Sequence, residues 1–496
     1  MKKGTITTYV LVFGAVFLLL LSGLLGFISL QLRQANQRVS WNEAFEIAEA
    51  GMNYYRWCLN NGISQNCLTE KEYQDLAGNT IGKFSLQIDT VQSCGISGST
   101  KIISTGWAYK FPNIKRKISV SYSRESVAKY SYILKSNVWV GGDHEIRGPF
   151  HSNGGIRMDG ENQSLVTSAA PDGEWICTDS FGCSPCPTNY GCRIVGADCV
   201  CPGVFTTTQN SNPDLFSFPA ASFPFEKIAV DLAQIKKLTK EESQGLYFGP
   251  SGVKGYRVVI NEDKIKVWKV LSTAMLGGIC TIIDFKIICD GDSCKPECSQ
   301  CQGGKCVVRD PVIQSEQFLG EYPIPSDCGL IFFEDELWVG KVDAENKVKG
   351  KITIASADLI DSNKETNVWL QGNIEYLRGD GLDSLTIIAQ HNNLIGLYSP
   401  DQMELRGVFV AQSGFFGRNH YPCRAYSPYC LREKLEIYGS IISSGRVGTQ
   451  WISGSQISSG YRKRETYIDP YLLYNPPIFT PFISSQYKII NWEELR

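Results

Sequence analysis

What most constrains this chain is an uncharged run close to its start. From Gly4 to Leu32 no side chain carries a charge, and the most apolar part is Tyr9 to Leu30. A helix needs about 20 apolar residues to cross a bilayer, so this run is long enough. Past it the apolar residues thin out, yet the helical period persists: Trp41, Phe45, Ala48, Met52 and Tyr55 recur at steps of four and three. The pattern predicts one long helix over residues 1–60. Its lower half, about 9–30, is apolar all round and sits in a membrane. Its upper half carries one apolar stripe and docks on a globular head. A secretory signal would have an apolar core of about 7–15 residues and a small-residue cleavage site. This run is longer, and no Ala-x-Ala follows it. Lys2 and Lys3 on one side face Arg33 and Arg38 on the other, so charge sets the orientation only weakly.

The cysteines set it better. Eighteen of them in a membrane-anchored chain place the C-terminal bulk in an oxidising compartment, as a large extracytoplasmic domain on a single-pass inner-membrane anchor. A length of 496 residues leaves room for two to four domains. The 48 basic and 50 acidic residues leave a net charge of -2, which points to no nucleic-acid partner.

Two short motifs flank the membrane run: the basic leader Met1-Lys2-Lys3-Gly4, and Ala48-Glu49-Ala50-Gly51 preceded by Asn42-Glu43-Ala44-Phe45. On these residues the chain resembles PilX-like minor pilins of type IV pilus assembly, over about its first quarter. The resemblance implies that a prepilin peptidase cuts after Gly4 and leaves Thr5 as the new N-terminus. It also implies that Trp41, Phe45, Ala48, Glu49, Ala50, Gly51 and Met52 lie on a helix that assembles with other pilin-like subunits. One position departs from the pattern. Major pilins carry Glu at the fifth mature position, and this chain has Tyr9. That fits a minor or initiating subunit, or a protein that never enters a filament. The alternative is a plain single-pass anchor.

Cys58-Leu59-Asn60-Asn61-Gly62 is a helix stop and turn, which Cys58 and Cys67 bracket closely enough to close a small disulfide loop. Alternating runs follow at Gly82–Asp89, Lys101–Trp107 and Arg116–Tyr122, the signature of half-buried antiparallel strands. Residues 61–125 are thus expected to complete a helix-on-sheet module.

Repetition dominates the remainder. Asn137-Val138-Trp139-Val140-Gly141-Gly142 returns as Asn367-Val368-Trp369-Leu370-Gln371-Gly372. A second pattern occurs three times, starting at Glu145-Ile146-Arg147-Gly148, Glu404-Leu405-Arg406-Gly407 and Glu436-Ile437-Tyr438-Gly439. Short strands joined through Gly turns, repeated with variation, predict a β-solenoid whose inward apolar residues stack from rung to rung. Further candidate rungs are Glu336–Gly340, Val348–Ala355 and Ser384–Ala389. A β-sandwich with similar hairpins is the alternative. The corner Gly148-Pro149-Phe150-His151-Ser152-Asn153-Gly154 also resembles Gly-rich β-domains of uncharacterised bacterial envelope proteins, which brings no known activity. The expected fold class is therefore α+β, mostly β. First rungs fall at 126–168, a Cys-rich insertion at 169–330, and the main solenoid with a C-terminal tail at 331–496. The first rungs are expected to pack against the later ones. Within the insertion, Ala229–Ser243 reads as a helix, and Tyr256–Ile260 with Ile265–Val270 as a strand pair.

Two cysteine groups fall in that insertion: Cys177, Cys183, Cys186, Cys192, Cys199 and Cys201, then Cys280, Cys289, Cys294, Cys298, Cys301 and Cys306. Neither spacing matches the paired knuckles of a zinc ribbon, so disulfide staples are the reading preferred over zinc. Cys423 and Cys430 are expected to close another loop. Of the four histidines, His144, His151, His391 and His420, the first two flank the Gly-Pro corner and read as exposed turn histidines rather than metal ligands. Asp380, Asp383 and Asp401 are the nearest thing to a carboxylate cluster, and two of them sit in a Gly-rich turn. No Gly-x-Ser-x-Gly elbow, Walker loop or HExxH motif is present. The sequence thus describes a non-enzymatic, cofactor-free structural protein of the pilin-like kind. It would be a minor or tip subunit, with surface adhesion and a surface ligand as consequences. The rivals are a membrane-tethered polysaccharide-active enzyme and a self-polymerising envelope scaffold.

Overall fold

A computed structural model describes residues 4–495, except 95, 283–288, 291–292, 295–300, 303–304, 343, 345 and 455. The chain divides into two units. One comprises Met1–Val91, Ser99–Ser123 and Ser485–Arg496, the other Gln92–Gly98 and Arg124–Ser484. The fold class is α+β, mostly β, with a long N-terminal helix and a much larger all-strand part.

In the first unit, α1 runs from Gly4 to Asn60 without a break. It stops at the Asn-Asn-Gly turn, where Asn61 Nδ2 donates to the Trp57 carbonyl at 2.8 Å and Gly62 takes a φ of 68° that favours glycine. Four strands follow: β1 (Glu70–Gln74), β2 (Thr80–Ser93), β3 (Ile96–Ala108) and β4 (Lys115–Ser126). The strands β1 and β2 pair antiparallel, as do β3 and β4. A fifth strand closes this sheet beside β4, and it is the C-terminal one, Phe482–Leu495. The tail expected to end the solenoid therefore lies elsewhere. Residues 485–496 belong to the helix-bearing unit, where Trp492 meets the Phe45 ring edge-on at 6.1 Å and Arg116 pairs with Glu494.

The second unit is a parallel stack with three faces. On face one, Leu246–Phe248, Leu330–Phe333, Lys351–Ser356 and Ser384–Ala389 pair in parallel, each with the next. The series continues through Val408–Ala411 and Ser440–Ser443 to Tyr132–Leu134, Phe150–Ser152 and Val166–Ser168. Face two stacks Tyr256–Val258, Leu337–Val339, Val368–Leu370 and Asn393–Ile395. Face three carries Asn346–Val348 and Ile374–Tyr376, then Gln402–Gly407, Lys434–Tyr438, Arg464–Tyr467 and His144–Arg147. Parallel pairing of this kind is a solenoid; a sandwich would pair antiparallel.

The repeats superpose in register: Glu404 lies opposite Glu436, Leu405 opposite Ile437 and Gly407 opposite Gly439. Leu405, Ile437 and Ile146 belong to one buried apolar core with Leu337, Val368 and Ile395. The two glycines turn the corner at φ values of 141° and 143°, and a Cβ on Gly439 would fall 2.8 Å from the Gly407 carbonyl carbon.

Spatial order is not chain order. Rungs built from residues 132–168 lie next to the last ones made, through Ile441–Ser443 on Tyr132–Leu134 and Arg464–Tyr467 on His144–Arg147. From there the chain leaps to the opposite end of the stack and works back from Leu246. Residues 169–330 are consequently not a single excursion. Phe216–Ser217 extends face one, and Leu246–Phe248 and Tyr256–Val258 form a full rung, because Phe248, Tyr256 and Val258 carry the apolar side chains that the core needs. The leap itself includes α2 (Leu232–Lys240), shorter than the helix expected over 229–243 and capped by Asp231, which accepts from Gln234 N. Leu232, Ile235 and Leu238 cover the outer side of face one with Leu330, Phe332, Ile388 and Val410. Further along face one, Thr386 Oγ1 meets Thr480 Oγ1 at 2.6 Å, and Ser384–Ala389 is buried at every position.

Candidate functional site

The assembly candidate is α1, and its two halves differ in what surrounds them. An 18-residue window of the lower half has a mean hydropathy of 2.6, and none of it is buried. Val10, Phe13, Phe17, Leu20, Leu24 and Phe27 all stand exposed. By length and composition this half can cross a membrane. The upper half is held from one side by the sheet. Ala44, Ile47, Ala48, Met52 and Tyr55 are buried against Phe84, Ile102, Ile118, Val120 and Tyr122.

Small residues let the two backbones approach closely. A Cβ on Gly106 would lie 2.9 Å from the Cα of Ala48, and one on Gly51 would meet the Phe84 ring at 2.8 Å. Two hydroxyls then reach helix carbonyls: Ser104 Oγ donates to Ala48 O at 2.7 Å and Tyr122 Oη to Met52 O at 2.8 Å. Burial pushes the Tyr122 hydroxyl well above the ordinary tyrosine range, so it stays a donor at any physiological pH.

The expected stripe is met by Ala48, Met52 and Tyr55, with Phe45 packed at its margin, and fails at Trp41. Ala48, Gly51 and Met52 face the sheet, whereas Trp41 is half exposed and Phe45, Glu49 and Ala50 are only partly covered. Arg116 lies over both the Trp41 and Phe45 rings, at 4.8 and 4.3 Å. An amphipathic period marks apolar positions but not which of them a partner fills. Ala44 and Ile47, buried residues that the stripe left out, lie between its members. The side chains of Gly4 and Thr5, where the resemblance places processing, are outside the described residues; α1 begins at Gly4.

The cysteines form staples. Cys58 is bonded to Cys67, Cys177 to Cys183, Cys186 to Cys199, Cys192 to Cys201, and Cys423 to Cys430. Cys177, Cys183 and Cys201, and likewise Cys192, Cys199 and Cys201, are close enough to hold a metal, but each of these sulfurs is taken up in a disulfide. A sixth pair, Cys94–Cys328, joins positions 234 apart in sequence, and sequence reading missed it. The available signal was arithmetic: of eighteen cysteines, these two stand outside every cluster. Cys298 and the side chains of Cys280, Cys289, Cys294, Cys301 and Cys306 lie outside the described residues.

The histidines are not all turn residues. His144 and His151 are buried. His144 Nε2 lies 3.0 Å from Thr466 Oγ1, and His151 Nδ1 lies 2.8 Å from Thr167 Oγ1. Burial, and for His144 the nearby Arg464, holds both imidazoles below the usual histidine range and neutral. His391 approaches Glu365 at 3.7 Å, and His420 meets the Trp451 ring edge-on. The three aspartates hold turns and the backbone of neighbouring rungs. Asp383 pairs with Arg378, Asp380 caps the Leu382 amide, and the Asp401 carbonyl accepts from Glu433 and Lys434.

The repeat's glutamates form a more regular array, which Glu465 and Glu161 extend. Glu404, Glu436, Glu465, Glu145 and Glu161 fall one above another on face three. Beside them runs the column Arg406, Tyr438, Tyr467 and Arg147, with the tyrosine rings stacked at 4.7 Å and an arginine at each end. Each of the first four glutamates pairs with a cation, Arg406, Lys434, Lys463 or Arg147. Burial raises the Glu465 carboxyl, but hydrogen bonds from Lys463, Lys434 and Tyr467 outweigh it and bring it down to about 2. Such a group is held as an anion and cannot donate a proton near neutrality.

No protein-family model matches the chain, and no curated protein matches it. Among solved structures it is similar to the competence-associated pilin ComZ from Thermus thermophilus, with 13% identity and a TM-score of 0.29 over 92% of this chain and 97% of that one.

Proposed function

We propose that the protein is a membrane-anchored, pilin-like structural subunit whose work is assembly rather than catalysis. The observation that carries this reading is the division of α1: an uncovered apolar half followed by a half docked on an antiparallel sheet through Ala44, Ile47, Ala48, Met52 and Tyr55. The lower half inserts in the inner membrane, where it packs against membrane helices of other pilin-like subunits. The stack is displayed on the extracytoplasmic side, in keeping with its staples. A head of about 360 residues would crowd a filament built from this chain alone, which favours a minor, tip or initiating position, with adhesion through the exposed faces.

The test is the intact mass and N-terminal sequence of protein recovered from its native membrane. A chain beginning at Thr5 supports prepilin processing and assembly. A chain that keeps Met1 through Gly4 makes α1 a plain anchor and refutes the assembly reading.

A further inference from the structure

Face two carries a cover that the backbone attaches only at its root. Lys264–Ile282 and Lys305–Pro323 pair antiparallel as a long two-stranded arm. Lys264–Lys269 also pairs with Tyr256–Asn261. The last bonds of that root are Lys254 N to Val270 O and Val270 N to Gly255 O, both 3.0 Å. Past this point, among the described residues, the arm's ladder runs between its own strands and joins no rung. The register shifts between Val270 and Ser272, which leaves Leu271 as a bulge, a place where a strand bends.

Side chains hold the rest. Val270 and Ile313 share an apolar cluster with Trp338, Trp369 and Leu394, on the side of face two turned away from the core. Arg257 pairs with Glu316 at 2.7 Å near the root. Farther out, Leu276 and Ile279 join Leu397, Tyr421 and Cys430. Opposite Leu276 on the other strand is Asp310, only 3% exposed.

The surroundings of Asp310 suit a neutral carboxyl better than a charged one. Asn419 Nδ2 donates to its Oδ1 at 2.9 Å and Tyr421 Oη to its Oδ2 at 2.6 Å, and both donors are uncharged. The Arg418 guanidinium is near, but its Nη protons go to the carbonyls of Leu397, Tyr429 and Cys430. A buried carboxylate held by neutral donors is costly to charge. Burial accordingly pushes Asp310 up to about 6, against the smaller opposing effects of Tyr421, Asn419 and Arg418. Burial, and Asp310 itself, hold Tyr421 far above the usual tyrosine range. Arg432 acts on Arg418 from the next rung, and His420 meets the Trp451 ring. On the arm, Leu276 and Ile279 bring no charge.

We propose that the arm is a pH-dependent clamp over Trp338 and Trp369, tightened when Asp310 takes up a proton and loosened when it gives the proton up. A carboxyl that binds its proton more firmly docked than undocked favours docking as pH falls. With about 6 docked and about 4 free, the equilibrium for lifting the arm rises about tenfold from pH 5 to pH 8. Lifting bends the arm at Leu271, uncovers the two indoles and leaves the rung ladders intact.

The test is hydrogen exchange of the full chain in detergent at pH 5 and pH 8, each amide's rate being divided by its unstructured rate at that pH. Amides of 271–276 and 310–316 should lose about tenfold in protection at pH 8, while those of Leu330–Phe333 keep theirs. Asp310→Asn, which has no proton to lose, should abolish that loss. Glu316→Gln, which weakens the root contact without touching Asp310, should lower protection at both pH values and leave their ratio unchanged. Equal protection of the wild-type arm at the two pH values, within about twofold, overturns the proposal. So does a loss that persists in Asp310→Asn protein whose Leu330–Phe333 amides exchange as in the wild type.

Discussion

Replacing Gly439 by alanine tests the claim that glycines set the corners of the stack. At this position φ is 143°, a region that L side chains rarely adopt, and the new Cβ would lie 2.8 Å from the Gly407 carbonyl carbon and closer still to its oxygen. Ordinary contact begins near 3.4 Å. The atom in the way is backbone, pinned by the pairing of Gln402–Ala411 with Leu431–Ser443, so it cannot turn aside as a flexible side chain would. Strain of this kind costs about 1–3 kcal/mol for the backbone. Forcing a rung of a close-packed core adds a further ~1–3 kcal/mol. The control is Gly350→Ala. There φ is 85°, but nothing lies within 4 Å of the new methyl, so only the backbone share of about 1–2 kcal/mol applies. In a unit of this size each kcal/mol moves Tm by about 1–2 °C. Thermal unfolding followed by tryptophan fluorescence should therefore place Gly439→Ala about 2–12 °C below the wild type, and Gly350→Ala about 1–4 °C below it. Equal shifts for the two variants would refute the steric account of the corner and leave only the conformational cost of positive φ.

Three other outcomes are expected. Gly106→Val should push the sheet off Ala44 and Ala48, destabilise the helix-bearing unit by about 3 kcal/mol and raise hydrogen exchange across β2 to β4; unchanged exchange would mean that the close approach is dispensable. Removing the Cys94–Cys328 bond by Cys94→Ser with Cys328→Ser should cost about 5 kcal/mol by loop-closure entropy, more than loss of the Cys423–Cys430 bond, and a comparison of the two variants' unfolding midpoints reads this directly. The Glu465 carboxyl ionises lower in the fold, at about 2, than in the unfolded chain, so its contribution of roughly 2 kcal/mol is complete above about pH 4.5 and is lost as pH falls toward 2. Glu465→Gln should accordingly flatten the acid limb of the stability curve between those values, and an unaltered limb would count against the ladder as a stabilising array.

Periodicity carried much of the fold because it reports local geometry. The helix, the three antiparallel strands after it and the Glu-aliphatic-x-Gly corners all follow from spacings of a few residues. The in-register stacking of Glu404 on Glu436 could be read from the repeat itself. Long-range choices were hidden. Nothing near Phe482–Leu495 says that this strand finishes a sheet begun four hundred residues earlier, and nothing near Leu246–Phe248 tells a rung from a loop strand. Both are settled by which apolar faces remain to be covered, a property of the assembled core. On α1 the period located the amphipathic half but not its buried centre, since Ile47 and the small Gly106 opposite decide the rotation.

The order in which the rungs are laid down has a consequence for synthesis. An ordinary solenoid can grow as it leaves the ribosome or the export channel, each new turn settling on the one before. Here the turns around Tyr132 and His144 emerge early, and their neighbours, Ile441–Ser443 and Arg464–Tyr467, emerge last. For most of translation the early turns expose an open strand edge, a surface prone to sticking to other chains. The stack stays open until Arg464–Tyr467 are out, so a premature stop before them would leave a product with no way to close rather than a slightly shorter one.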